Sequence, residues 1–184
     1  MPAGQELSLE LLDAIEVRLA VFRAEYGPDC PAEYTFANLY LFRQAHRYRY
    51  VPDRLCPRIE GSTYDGVSYI MPLVPLRRFG AAELRRILGD NECFFPIAEQ
   101  ELGFLQAGTV RWSAQRSDSD YLYAVGNFID YRGSRLRKRR NLMQQLLAQH
   151  QLRCRPLAAD TLPDAQRILQ LWLRDKDKAP DEAD

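Results

Sequence analysis

The sequence is poor in most of the residues that usually announce an active site. It has two histidines, His46 and His150, about a hundred positions apart. No Ser-His-Asp or Cys-His pairing can be read from it, so no catalytic residue is named at this level. Its four cysteines, Cys30, Cys56, Cys93 and Cys154, are widely spaced, with no Cys-x-x-Cys pair and no histidine at ligand spacing. That disfavours a metal site and leaves buried free thiols in a reducing cytoplasm as the expectation. Net charge is absent too: 25 Lys and Arg balance 25 Asp and Glu, which excludes a broadly nucleic-acid-seeking surface. No apolar run approaches the roughly 18 residues a membrane span needs, and the start has no charged-then-apolar signal pattern. Walker and Rossmann glycine signatures, low-complexity tracts and repeats are also missing.

What is present is an ordinary globular composition, 46% apolar and 27% charged over 184 residues, enough for one domain or one and a part. Against the neutral background one stretch stands out. Between Arg132 and Arg140 lie Arg132, Arg135, Arg137, Lys138, Arg139 and Arg140, with no acid among them. From Asn141 the segment turns apolar and reads as a helix, with Gly133 or Ser134 as its cap. Arg135, Arg139, Leu142 and Leu146 share a face, so an apolar stripe runs N-terminally into arginine. Cations at a helix start oppose the helix dipole, at a cost of a few tenths of a kcal/mol each, roughly. Two readings stand: a solvated basic face with surface ion pairs, or a pocket rim holding a phosphate or carboxylate.

Along the chain, Leu12, Ile15, Leu19 and Phe22 mark the inner face of a first helix, ended by Gly27-Pro28-Asp29. A second, nearly all-apolar helix is expected from Thr35 to about Ala45, carrying Asn38 and Arg43, polar groups that need partners if buried. Strands are expected at residues 48–51, 54–60 and 67–74, the last two forming a hairpin around Gly61–Gly66. Pro57 marks the first hairpin arm as an edge strand or a broken one. Short helices follow at 79–88 and 99–107, capped by Gly89 and Gly108, with strands at 93–97, 109–113 and 121–125. After His150 the pattern restarts: a strand at 153–157, then a helix with Pro163 in its first turn and an apolar side of Leu162, Ala165, Ile168, Leu169 and Trp172. Residues 177–184 read as a disordered tail. A lone βα unit cannot cover that stripe, so the Trp172 helix is expected to dock on the first domain, on residues absent here or on a second copy. The whole is an α+β pattern with antiparallel hairpins.

Several segments resemble the DUF2156 family, related to the C-terminal catalytic domain of phosphatidylglycerol lysyltransferases. The carrying residues are Glu33-Tyr34-Thr35-Phe36-Ala37-Asn38-Leu39-Tyr40-Leu41-Phe42-Arg43, the Glu60-Gly61 hairpin leading to Tyr69-Ile70-Met71-Pro72, Phe95-Pro96-Ile97, and Asp120-Tyr121-Leu122-Tyr123 followed by Arg132 to Asn141. Family members usually have Trp where this chain has Phe42. The resemblance implies two acyltransferase-like (GNAT-like) domains in tandem, each a mixed, mostly antiparallel sheet flanked by helices. Residues 1–152 would be the first and 153–176 the opening strand and helix of a truncated second.

The resemblance also implies chemistry: an aminoacyl group moved from tRNA to a lipid headgroup or another hydroxyl or amine acceptor. A tRNA ester is already activated, so positioning and oxyanion stabilisation can suffice without a covalent enzyme intermediate. The expected partners are aminoacyl-tRNA or a phosphate-bearing lipid or small molecule. The anion contact falls to Arg135, Lys138 and Arg139, with Arg132 assisting. Asn38, Arg43 and Tyr69 are further pocket candidates, each balanced against a structural role. His46 and His150 are expected as helix-end surface residues. The Gln/Arg-x-x-Gly-x-Gly/Ala loop of acetyl-CoA enzymes is absent, so no cofactor is expected. A non-catalytic RNA- or anion-binding module, or a truncated structural relative, are the alternatives.

Overall fold

In the computed structural model, residues 4–105, 110–116 and 119–176 are described. They divide into two compact units, Met1–Leu122 and Tyr123–Asp184.

The first unit is built on a five-stranded sheet in the order β1 (Gln5–Glu6), β2 (Arg49–Val51), β3 (Arg58–Ser62), β4 (Ser68–Pro72), β5 (Cys93–Phe94). Every pairing is antiparallel except β4 with β5, which is parallel. Tyr69 and Met71 of β4 point into one cluster with Ile15, Leu19, Phe22 and Tyr26 of α1 (Leu12–Tyr26) and Phe36 and Leu39 of α2 (Phe36–Leu41). Ile70, between them, faces the other cluster with Cys56 and Ile87 of α3 (Ala81–Leu88). That alternation is the two-residue period of a strand, and it puts helices on both faces of the sheet. The result is a mixed, mostly antiparallel α+β fold, compatible with a GNAT-like one.

The hairpin of β3 and β4 closes where Gly61–Gly66 placed it, with Ser62 opposite Ser68. Pro57 does not mark an edge. β3 starts one residue later and lies between β2 and β4, while the Pro57 carbonyl accepts from the Leu73 N–H at 2.9 Å. A proline at the entry of a strand costs nothing there because its missing donor is not called on.

Three elements are shorter than expected. α2 stops at Leu41, the 93–97 strand is reduced to Cys93–Phe94 before Pro96, and α4 covers only Glu99–Leu102. The rest of that helix and its cap Gly108 include residues outside those described. The sequence at 121–125 alternates like a strand but pairs with no strand among the described residues, and neither does 153–157. Of 109–113 only Val110 makes a bridge, and Thr109 is not described. Alternation identifies a half-buried ribbon only when a neighbour supplies its ladder.

A buried polar cluster ties α1 to α4 within this unit. Glu101, 3% exposed, accepts from the Tyr26 hydroxyl and from the Arg77 backbone N–H at 3.0 Å, and pairs with the Arg77 guanidinium, which also meets Glu25. Under the hairpin, Arg58, 4% exposed, bonds Glu60 at 2.9 Å, and Asp53 takes the Leu55 and Cys56 N–H groups.

The second unit holds α5 (Gly126–Asp130), α6 (Arg137–Gln149), entered through a 3-10 turn at Ser134–Leu136, and α7 (Leu162–Asp175). Gly133, at φ 89°, is the N-cap of that turn. On α7, Ile168, Leu169 and Trp172 are exposed. The 177–184 tail lies outside the described residues. No described helix is long and apolar enough to cross a membrane.

Candidate functional site

The short helix α2 and the turn after it shape the first unit's main cleft. Thr35 caps α2, its Oγ1 accepting the Asn38 N–H. Beyond α2 the chain runs through a turn over residues 42–47, closed by two bonds, Tyr48 N–H to Arg43 C=O at 2.9 Å and Arg47 N–H to Gln44 C=O at 3.2 Å. That nested pair is a Schellman closure. It turns His46 and Tyr48 back over the β3–β4 hairpin. The turn is stitched to β3 twice: Ser62 N–H donates to His46 C=O, and His46 Nδ1 donates to Ser62 C=O, each at 2.9 Å. Gly61 makes this approach feasible, since a Cβ there would lie 2.7 Å from the Tyr48 ring.

The cleft so formed has a volume of about 780 Å³. Aromatic rings make its wall: Phe42, His46, Tyr48, Tyr64, Tyr69 and Phe95. His46 lies against Tyr64 and Tyr48, with centroids 4.7 and 5.3 Å apart, and Tyr69 meets Phe95 edge-on at 5.3 Å. The charged residues lining it are all acids, Glu33, Asp65 and Asp120, with no Lys or Arg among the described lining residues. Asp120 is drawn in by the Ala32 N–H at 2.8 Å. Tyr69 donates to the Tyr48 hydroxyl at 2.9 Å. Burial is the main reason both phenols hold their protons more tightly than usual, and the charge of Glu33 adds to it. With Nδ1 committed to a carbonyl, the neutral His46 ring keeps its lone pair on Nε2, which bonds no other described residue.

Of the pocket candidates, Asn38 and Tyr69 meet in this cleft. Among the described residues the Asn38 carboxamide makes no hydrogen bond. Arg43 turns the other way. Its guanidinium stacks 3.8 Å over the Tyr40 ring, bonds the Tyr40 carbonyl and lines a separate pocket with Arg47 and Arg49. Arg132, Arg135, Lys138 and Arg139 gather at the start of α6 in the second unit, all exposed. Arg132 pairs with Asp130 at 3.0 Å, and Arg140 bonds the Tyr131 carbonyl at 2.7 Å. Arg135, Lys138 and Arg139 have no ion-pair partner among the described residues. His150 is exposed at the end of α6, as expected of it.

His46 was not legible as a site residue. It does follow a helix end, but its ring is half-buried in the cleft. The readable signal was the aromatic crowding of Phe42, His46, Tyr48 and Tyr50, which resembles core spacing as much as a cage.

A family model described as phosphatidylglycerol lysyltransferase, C-terminal, matches residues 28–183. No curated protein and no solved structure matches the chain.

Proposed function

Because the chain belongs to the family of phosphatidylglycerol lysyltransferase C-terminal domains, we propose that it is an aminoacyltransferase moving an aminoacyl group from tRNA to a hydroxyl or amine acceptor such as a lipid headgroup. The cleft of the first unit takes the cationic aminoacyl moiety. One observation carries this: six aromatic rings and three carboxylates line the cleft, and no cation does among the described lining residues. Ring faces and carboxylates both favour an ammonium group, the rings by about 0.5–2 kcal/mol depending on desolvation. Asn38 supplies an amide for the carbonyl side.

The acceptor oxygen attacks the ester carbonyl, and His46 Nε2 receives the acceptor's proton. The tetrahedral oxyanion collapses, the ribose oxygen leaves, and the imidazolium returns the proton to it. The Ser62 carbonyl holds the ring in the tautomer this needs. Arg135, Lys138 and Arg139, with Arg132, engage substrate phosphates. Residues 1–152 form the first of two tandem domains and 153–176 open the second. The reaction runs on the cytoplasmic side, where charged tRNA is found.

The test is single-turnover transfer from radiolabelled lysyl-tRNA to phosphatidylglycerol, with His46→Gln compared with the parent chain. General-base loss lowers the rate by about 10²–10⁴ while tRNA binding is kept. Equal rates would remove His46 from the chemistry. A second reading, a non-catalytic RNA- or anion-binding module, draws on the exposed cations of α6. It predicts tRNA binding that depends on Arg135 and Arg139, with no transfer by either form.

A further inference from the structure

Tyr48 also lines a second pocket, of about 530 Å³, together with Arg43, Arg47, Arg49, Glu6 and Gln44. Glu6 is its one carboxylate, and it reaches Arg49 only at 3.8 Å. Arg43 is fixed by the Tyr40 ring and carbonyl, and Arg49 by the Gly4 carbonyl. Two of the three guanidinia are therefore held in place, and one carboxylate, Glu6, stands against three positive charges.

Arg47 adds a second, independent observation. It ends the turn over residues 42–47, at the position where a Schellman closure requires left-handed backbone, and its φ is 53°. Glycine adopts that conformation freely, whereas a side chain is strained there. Keeping arginine at a glycine position makes sense where the guanidinium is used.

The neighbouring surface identifies the ligand. Tyr40, which carries Arg43, also lines an open groove with Leu9, Leu12, Phe36 and Leu41. Leu9 and Leu41 are 62% and 66% exposed. The charged pair in that groove, Glu16 with Arg23, is already neutralised. An arginine pocket beside exposed leucines is suited to a phosphate whose bearer also has hydrocarbon, and an RNA backbone would leave the leucines in water. We propose that this face docks on an anionic lipid surface, with lipid phosphates in the Arg43–Arg47–Arg49 pocket and Leu9, Leu12 and Leu41 at the acyl boundary. The inference concerns a different face from the cleft and does not rest on transfer activity.

The experiment is co-sedimentation of the full chain with phosphatidylglycerol-containing and pure phosphatidylcholine vesicles. It uses a background in which Arg135, Lys138 and Arg139 are changed to Gln, so that the α6 cations do not contribute. The background chain should bind the anionic vesicles and not the neutral ones. Arg47→Gly should weaken binding about fivefold, and the addition of Arg43→Gln and Arg49→Gln on the order of a hundredfold. Leu41→Ser should weaken it without changing its salt dependence. Circular dichroism confirms that each variant is folded. Unchanged binding in the triple arginine variant would overturn the proposal. So would phosphate-induced NMR shifts at these arginines without vesicle binding, which would assign the pocket to free phosphate. A short single-stranded RNA outcompeting the vesicles at this pocket would overturn it as well, in favour of nucleic acid.

Discussion

Replacing Arg47 by glycine should make the protein more stable, which few changes to a charged surface residue do. The side chain is exposed and has no ion pair with a described residue, so its loss removes no packing. Relieving a left-handed residue of its Cβ recovers about 1–2 kcal/mol. Glycine's extra freedom in the unfolded chain takes back about 0.5–1 kcal/mol. The net gain is about 0.5–1 kcal/mol, or a Tm increase of roughly 2–4 °C for a unit of this size. The assay is thermal and urea unfolding by circular dichroism across Arg47→Gly, Arg47→Asn and Arg47→Val. Stability should fall in the order Gly, Asn, Arg, Val, since Asn tolerates the left-handed region and a β-branched residue resists it. If Gly is neutral or destabilising, or the order follows another scale, the strain is absent and the case for a retained functional arginine goes with it.

Glu101→Ala should cost about 1–3 kcal/mol, because it leaves the Tyr26 hydroxyl and the Arg77 backbone N–H without their buried acceptor while Arg77 keeps Glu25; urea unfolding measures it. Asp53 is held below the ordinary carboxylate range, mainly by the Cys56 N–H, with Leu55 N–H and the Arg58 charge assisting. Its folded pKa is thus the lower one, so its stabilisation is full above the unfolded value near 3.9 and is lost as pH falls through the folded value. Asp53→Asn should flatten that acid limb in unfolding titrations between about pH 5 and pH 2. Burial pushes the Cys56 thiol up to about 11, while Cys154 is exposed. A thiol reagent at pH 8 should therefore label Cys154 in the native protein and reach Cys56 only on unfolding. Gly61→Ala should displace the Tyr48 ring and lower transfer more than stability, read from paired rate and unfolding measurements.

The sheet and its two helical faces were largely readable because they follow local periodicity. The α1 stripe, the β3–β4 hairpin and α3 obey patterns of 3.6 or 2 that one segment displays by itself. The lengths of α2 and β5 were less readable: α2 gives way to a turn over residues 42–47 although its apolar pattern runs on, and β5 stops before Pro96. Neither Arg47's backbone nor the Glu101 cluster leaves a local trace: Tyr26, Arg77 and Glu101 are brought together only by the fold. The same holds for the site. Asn38 and Tyr69, pocket candidates by sequence, both line the cleft, and His46, which lines it with them, sits on a turn bonded to Ser62 that no local pattern announces. Arg43 does not line the cleft but a different pocket, which shares Tyr48 with it.

The central claim is that the cleft of the first unit recognises a cationic aminoacyl group. An NMR titration of the full chain with lysine amide, monitored at the His46 and Tyr64 side chains, tests it most directly. Saturable shifts at both, reduced at least fivefold in affinity by Tyr64→Ala and absent with acetate as the probe, are the expected result. Shifts of equal size with acetate, or lysine amide binding that leaves His46 and Tyr64 unperturbed, would contradict it.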